Sequence, residues 1–151
     1  MIYYGTELGM TGLESMGHGF IRKDFPGGWA DDKLDLFKFE NLSKEQKQIS
    51  ECISKLANWR KTNNAVKNGK FLHFVPENNT YVYFKYTEKE AVMVIFNNNE
   101  KENKTIDCER FTEILKDYKS GKEILSDKTF DKLDKIEIPK KSAMVIELIR
   151  K

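Results

Sequence analysis

The sequence predicts a mainly β protein that ends in an antiparallel β-sandwich of Greek-key type. Three observations predict it. From residue 70 onward, apolar residues recur at a period of two in six or seven short runs separated by turn residues, as in a sandwich. Before them, residues 43–62 carry apolar residues at helical spacing. Before the helix, residues 1–42 hold seven of the nine glycines, a density that suits an irregular loop needing sharp turns or close approach.

Composition narrows the function. With 39% hydrophobic and 12% aromatic residues the chain has material for a core, and disorder, which needs low hydrophobicity and large net charge, is disfavoured. Lys plus Arg total 26 against 24 Asp plus Glu, a net charge of +2. That balance argues against a nucleic-acid face and gives no reason to expect a membrane partner. No run approaches the roughly 20 apolar residues of a membrane span, and the first residues carry no signal-peptide pattern. At 151 residues the chain is too short for a complete (β/α)₈ barrel, which takes about 250. Cys52 and Cys108 read as small buried hydrophobes, with a disulfide left open. His18 and His73 are too few and too isolated for zinc or His-dependent catalysis. No metal and no cofactor is expected.

The elements follow in order. Ile2-Tyr3-Tyr4 reads as a very short strand. Ser43 is a good N-cap, and Gln46 completes a capping box. Ile49, Cys52, Ile53, Leu56 and Trp59 form the apolar stripe of the helix, and its Trp59 side is expected to pack on the sandwich. Gly69 is the next breaker. Residues 71–75 form a strand closed by Pro76, and Glu77-Asn78-Asn79 a hairpin loop. In the strand 80–86, Val82, Phe84 and Tyr86 share one face, and Tyr81, Tyr83 and Lys85 the other. Residues 91–96 are apolar throughout, as in a central strand covered on both faces. A short strand at 103–107, a helix at 109–118 buried through Phe111, Ile114, Leu115 and Tyr118, a strand at 123–125 introduced by Gly121, alternation at Ile136 and Ile138, and a last strand at 143–149 complete the chain.

The C-terminal half carries no evident chemistry, since its carboxylates are scattered among lysines. Tyr81, Tyr83 and Tyr86 offer a sugar-stacking platform, with core or cross-strand packing as the plainer reading. The stretch His18–Trp29 is richer. His18, Arg22, Asp24 and Trp29 place a cation, a carboxylate and a flat ring beside flexible glycines, the mixture that binds a polyhydroxylated ligand.

Two motifs carry a resemblance. Ile2-Tyr3-Tyr4-Gly5-Thr6-Glu7-Leu8-Gly9-Met10 resembles the end of the eighth barrel strand in the α-amylase superfamily of glycoside hydrolases. Arg22-Lys23-Asp24-Phe25-Pro26-Gly27-Gly28-Trp29 is similar to the neopullulanase and cyclomaltodextrinase branch of Bacteroides-type starch-utilising bacteria. The segment Leu56–Lys61 resembles the last barrel helix, and everything from about residue 70 the C-terminal sandwich of that family. The resemblance implies a division at 69/70, with residues 1–69 as the last strand, loop and helix of a truncated barrel and 70–151 as the sandwich domain.

It implies a parent that is a retaining hydrolase of α-1,4 glucosidic bonds, with α-1,6 bonds left open, acting on starch, pullulan or malto-oligosaccharide. Such enzymes use an aspartate nucleophile, a glutamate acid/base and a further aspartate from earlier strands. None of these matches a position here, so no catalytic residue is assigned and this chain is expected to be inactive alone, a structural part beside the rest of the barrel. Met1 stands where relatives have a lead-in, which reads as an artificial boundary or a shortened gene product. By resemblance Arg22 is the arginine that clamps a donor-subsite glucose. His18 stands where an acid is usual, Asp24 is the substitute acceptor, and Trp29 the wall. Gly5 and Glu7 are read as structural. The resemblance places the parent in the periplasm, and residues 5–42, parted from their neighbours, are expected to be the least ordered. The alternative is a stand-alone sandwich module that binds glucan or a protein without catalysis.

Overall fold

The computed structural model describes residues 2–33 and 35–151. It separates into two compact units, Met1–Ser54 and Lys55–Lys151, with the division inside one long helix.

In the first unit, three short 3₁₀ turns (Thr6–Leu8, Glu14–Met16 and Leu36–Lys38) and one helix, α1 (His18–Ile21), interrupt irregular backbone. Gly5 sits in the left-handed region at φ 80, where a Cβ would stand 2.5 Å from the sulfur of Met10, so this turn admits only glycine. Ile2–Tyr4 is not a strand. A strand needs a hydrogen-bonding neighbour, and among the described residues none pairs with it. Instead the Tyr3 carbonyl accepts from the Thr6 amide at 3.1 Å and opens the first turn. Helix α2 (Lys44–Thr62) starts as expected. The Ser43 hydroxyl accepts from the Gln46 amide (3.2 Å), and the Ser43 amide donates to the Gln46 side chain (3.0 Å).

The second unit holds the end of α2, a short helix α3 (Asn64–Asn68) and the sandwich. Asn63 is buried between the two helices. Its side chain accepts from the Val66 amide (2.9 Å), while the Glu90 carboxylate accepts from the Asn64 and Ala65 amides (2.9 and 3.1 Å). These bonds satisfy α3's first donors. The stretch after residue 62 is therefore helical as far as the breaker Gly69, where a Cβ would run into the carbonyls of Ala65 and Tyr86.

One sheet has six strands in the order β1-β2-β3-β8-β5-β6: β1 (Lys70–His73), β2 (Thr80–Tyr86), β3 (Ala91–Asn97), β8 (Ser142–Arg150), β5 (Tyr118–Glu123) and β6 (Thr129–Phe130). A ribbon of β4 (Lys104–Asp107) and β7 (Lys135–Ile138) forms the second layer, and all pairs are antiparallel. Asn78 and Asn79 turn β1 into β2 with φ of 51 and 58, the left-handed pair that a tight hairpin demands and asparagine tolerates. Alternation in β2 and β3 sends Val82, Phe84, Met93 and Ile95 inward, against Ile106, Phe111, Ile136 and Ile138. Val92 and Val94 point outward yet are buried too, under Trp59, Ala65 and Val66. The Trp59 side of α2 thus packs on the sheet as expected, and β3 is covered on both faces.

Two expectations shift. Residues 109–118 do not form one helix: a 3₁₀ turn (Cys108–Phe111) leads into helix α4 (Thr112–Leu115), and Tyr118 begins β5. Positions 111, 114, 115 and 118 all reach the core, so the spacing was apolar for a mixed reason. Gly121 lies inside β5 because a Cβ there would stand 2.6 Å from the Ile146 side chain, and residues 124–126 turn. Cys52 and Cys108 are free. Burial, helped by Asp107 and Asp134, pushes the Cys108 thiol up to about 12.

Candidate functional site

The candidates His18, Arg22, Asp24 and Trp29 all lie in the first unit, and each of their side chains is exposed. His18 opens α1, and its carbonyl accepts from the Arg22 amide at 3.1 Å, so the two mark opposite ends of one helical turn. Just beyond, the Tyr4 hydroxyl donates to the Lys23 carbonyl (3.2 Å). That bond brings Arg22 and Asp24 alongside the Tyr3/Tyr4 pair, whose ring centroids are 4.6 Å apart at 42°. The Tyr4 phenol is held above its ordinary value by loss of solvent, then by Tyr3 and Asp24, with Arg22 opposing. Tyr3, Tyr4, Thr6, Ile21 and Lys23 line a cavity of about 110 Å³ there.

Trp29 belongs to a separate turn. The Asp32 carboxylate accepts from the Gly27 and Trp29 amides, both at 3.1 Å, and leaves the indole 75% exposed. Among the described residues Arg22 and Asp24 form no ion pair with each other or with His18. The hollow is lined by two flat rings and an ammonium, and the Arg22 guanidinium and Asp24 carboxylate flank Lys23 in sequence, a combination of groups suited to hydroxyl-bearing ligands. Tyr3 and Tyr4 are the members that sequence reasoning assigned to a strand. Their signal was the doubled tyrosine ahead of Gly5. Among the described residues no group of three or more His, Cys, Asp or Glu side chains could hold a metal.

A second aromatic surface lies on the sandwich. On the outer face of β1, β2 and β3, Phe71 stands 5.6 Å from His73 (16°) and 5.2 Å from Tyr83. Tyr81 stands 5.8 Å from Tyr83 and 6.4 Å from Phe96 (17°). The five rings form one patch. Tyr86 is not part of it, because alternation along β2 turns it to the core side. Burial, then Tyr81, raises the Tyr83 phenol above its ordinary value.

The second unit is a two-layer antiparallel sandwich. Residues 71–147 match the cyclo-malto-dextrinase C-terminal domain, and the chain belongs to that family.

Solved structures share the fold. The α-amylase of Geobacillus thermoleovorans, complexed with acarbose, aligns with 99% of this chain and 29% of its own at 18% identity and a TM-score of 0.61. The cyclic α-maltosyl-(1→6)-maltose hydrolase of Arthrobacter globiformis aligns with 97% of this chain and 26% of its own at 18% identity and a TM-score of 0.64. A cyclomaltodextrin glucanotransferase with a three-domain ABC distribution covers 99% and 29% at 17% identity and a TM-score of 0.60. The chain thus spans roughly a quarter of the length of the structures it matches.

Proposed function

We propose that this chain is the non-catalytic C-terminal part of a neopullulanase-like, retaining α-glucan hydrolase. Its parent cleaves α-1,4 and α-1,6 glucosidic bonds of starch, pullulan or malto-oligosaccharides. The observation that carries the reading is the family match over the sandwich, joined to an N-terminal segment that resembles the end of a catalytic barrel yet contains none of the three catalytic carboxylates. In the parent, the segment that holds the hollow at Tyr3 and Tyr4 contacts a glucose unit of the substrate, with Arg22, Asp24, His18 and Trp29 as its candidate contacts. Solved structures with this fold carry maltose and maltotriose, which supports malto-oligosaccharide as the ligand class.

Hydrolysis assays on pullulan and cyclomaltodextrin test the proposal. The purified 151-residue chain should release no reducing sugar above buffer. The product of the complete reading frame should hydrolyse the substrate with retained anomeric configuration, and Arg22→Ala in that product should raise KM by roughly ten- to a hundredfold, as loss of a charged hydrogen bond worth about 1.5–3 kcal/mol requires. Turnover by the chain alone would sink the non-catalytic reading.

A further inference from the structure

We infer that Asn68 is a modification site: its side-chain amide converts to an aspartyl or isoaspartyl carboxylate by attack of its own backbone, and helix α3 gates the reaction. Among the asparagines of the chain, Asn68 alone precedes a glycine. The attacking group is the main-chain nitrogen of the following residue, and glycine leaves that nitrogen without a neighbouring side chain to crowd its approach.

The fold cannot exchange this glycine for a less reactive neighbour. Helix α3 ends at Asn68, and β1 begins at Lys70, paired with Tyr86. A Cβ at Gly69 would run into the carbonyls of Ala65 and Tyr86. The reactive dipeptide is imposed by the packing of a helix end against β2.

The native geometry holds the reaction off at three points. The Gly69 nitrogen, which must lose its proton to attack, donates to the Ala65 carbonyl at 2.9 Å. The Asn68 side-chain amide donates to the Asn64 side-chain oxygen at 2.7 Å, which draws it back along the helix by one turn. Asn68 is itself helical. Ring closure needs the Gly69 nitrogen eclipsed with the Asn68 Cβ, and a helical ψ of about −42° does not supply that.

All three restraints fall together when α3 opens. Five residues are too few for a helix that stands without tertiary support. Here the support is Glu90, whose carboxylate accepts from the Asn64 and Ala65 amides at 2.9 and 3.1 Å. In the opened segment, water takes the Gly69 amide proton and the nitrogen attacks Cγ of Asn68. The N–Cγ bond forms, the Cγ–Nδ2 bond breaks, and ammonia leaves with a proton. Water then opens the five-membered imide at either carbonyl, and nothing is oxidised or reduced.

The isoaspartyl product carries one extra main-chain methylene between α3 and β1, where there is no room for a methyl group. The Gly69 carbonyl also holds the Lys85 ammonium at 2.6 Å. The lengthened chain cannot keep that bond, the Ala65 bond and the Lys70–Tyr86 register together. Ala65 and Val66, which cover Val92 and Val94, then lose their seat, so each conversion leaves a helix that no longer closes.

Incubation of the 151-residue chain in mildly alkaline buffer, followed by peptide mapping for isoaspartate, tests this. In guanidinium chloride Asn68 should convert ahead of every other asparagine, and at least about tenfold faster than in the native chain, as a gated local opening requires. Glu90→Ala should raise the native rate several-fold and leave the unfolded rate unchanged. Asn64→Ala, which removes only the side-chain acceptor, should do the same by a smaller factor, and it decides the matter if Glu90→Ala does not fold. The isoaspartyl fraction, separated by ion exchange, should melt below the unmodified chain. Equal native and unfolded rates, another asparagine converting first in guanidinium chloride, a native rate indifferent to the variants, or an isoaspartyl fraction that melts with the unmodified chain would each overturn the inference.

Discussion

The two units use apolar residues in opposite ways. In Lys55–Lys151, alternating strands deliver Phe84, Met93, Ile95, Ile136, Ile138 and Ile146 to one interior with essentially no exposure. In the first unit only Leu8 and Leu36 are buried among the described hydrophobic residues, while Ile2, Tyr3, Leu13, Met16, Trp29, Phe37 and Phe39 are each more than half exposed. Both stretches are rich in large side chains. The difference is periodicity: a period of two gathers side chains on one face, whereas glycine-punctuated turns scatter them. The first unit thus gathers few of its large apolar side chains into an interior, and the second gathers most of them.

The largest expected contrast comes from matched truncations. Phe84→Ala removes a ring packed among Phe74 and Phe111 and should cost about 3–5 kcal/mol, a large share of the 5–15 kcal/mol typical of a domain. Leu36→Ala, at a side chain just as buried, should leave the main melting transition in place. Circular dichroism melts of both variants check this, and equal losses would erase the distinction between the units.

Next comes Asn97, a buried amide that donates to the carbonyls of Glu102 (3.0 Å), Ile138 (3.3 Å) and Pro139 (3.0 Å) and accepts from the Asn99 amide (3.0 Å). Asn97→Ala leaves those groups unpaired and should lower the urea midpoint by the equivalent of about 1–3 kcal/mol. A smaller effect is expected at the helix start. Ser43→Ala should cost about 1 kcal/mol, reducing helical ellipticity without moving the sandwich's near-ultraviolet transition.

Smallest at neutral pH are two titrations in the second unit. Asp127, exposed between Lys122 and Lys55, is lowered to about 2, chiefly by its hydrogen bonds to both lysines. Its folded value lies below its unfolded one, so its contribution is present above about pH 4 and is lost as pH falls towards 2. Asp127→Asn should flatten that acid limb. Cys108 is raised to about 12 by burial, so its contribution is present below about pH 8.5 and is lost as pH rises towards 12. Cys108→Ala should remove that loss from the alkaline limb of a stability–pH profile.

Much of the sandwich was legible because its periods are clean. Alternation along 80–86 assigned both faces of β2, the unbroken apolar run at 91–96 announced a strand covered twice, which holds as far as Ile95 while Phe96 is exposed, and the Asn78-Asn79 pair announced the hairpin. Elements whose apolar spacing served two geometries were misjudged: positions 111, 114, 115 and 118 fit a helix, yet the chain passes from 3₁₀ to α to strand across them. Gly121 suggested a break because the crowding against Ile146 is a tertiary fact. The burial of Glu123 was not legible either. Burial alone would raise its carboxyl, but hydrogen bonds from Ser126, Leu125 and Val145 outweigh this and lower it. At the candidate site, Arg22 and Asp24 were read from the residue mixture of His18–Trp29 and from the resemblance, while the pairing of Tyr4 with the Lys23 carbonyl depends on a fold-back of 19 residues that no local pattern encodes.

Residue-resolved amide hydrogen exchange on the 151-residue chain tests the contrast between the units most directly. Amides of β2, β3 and β8 should be protected by at least about a thousandfold, as global opening at several kcal/mol requires, while those of residues 2–42 should exchange at close to unfolded-chain rates. Protection of residues 2–42 matching that of the central strands would contradict the account, because it would mean that the N-terminal segment stands on a core of its own.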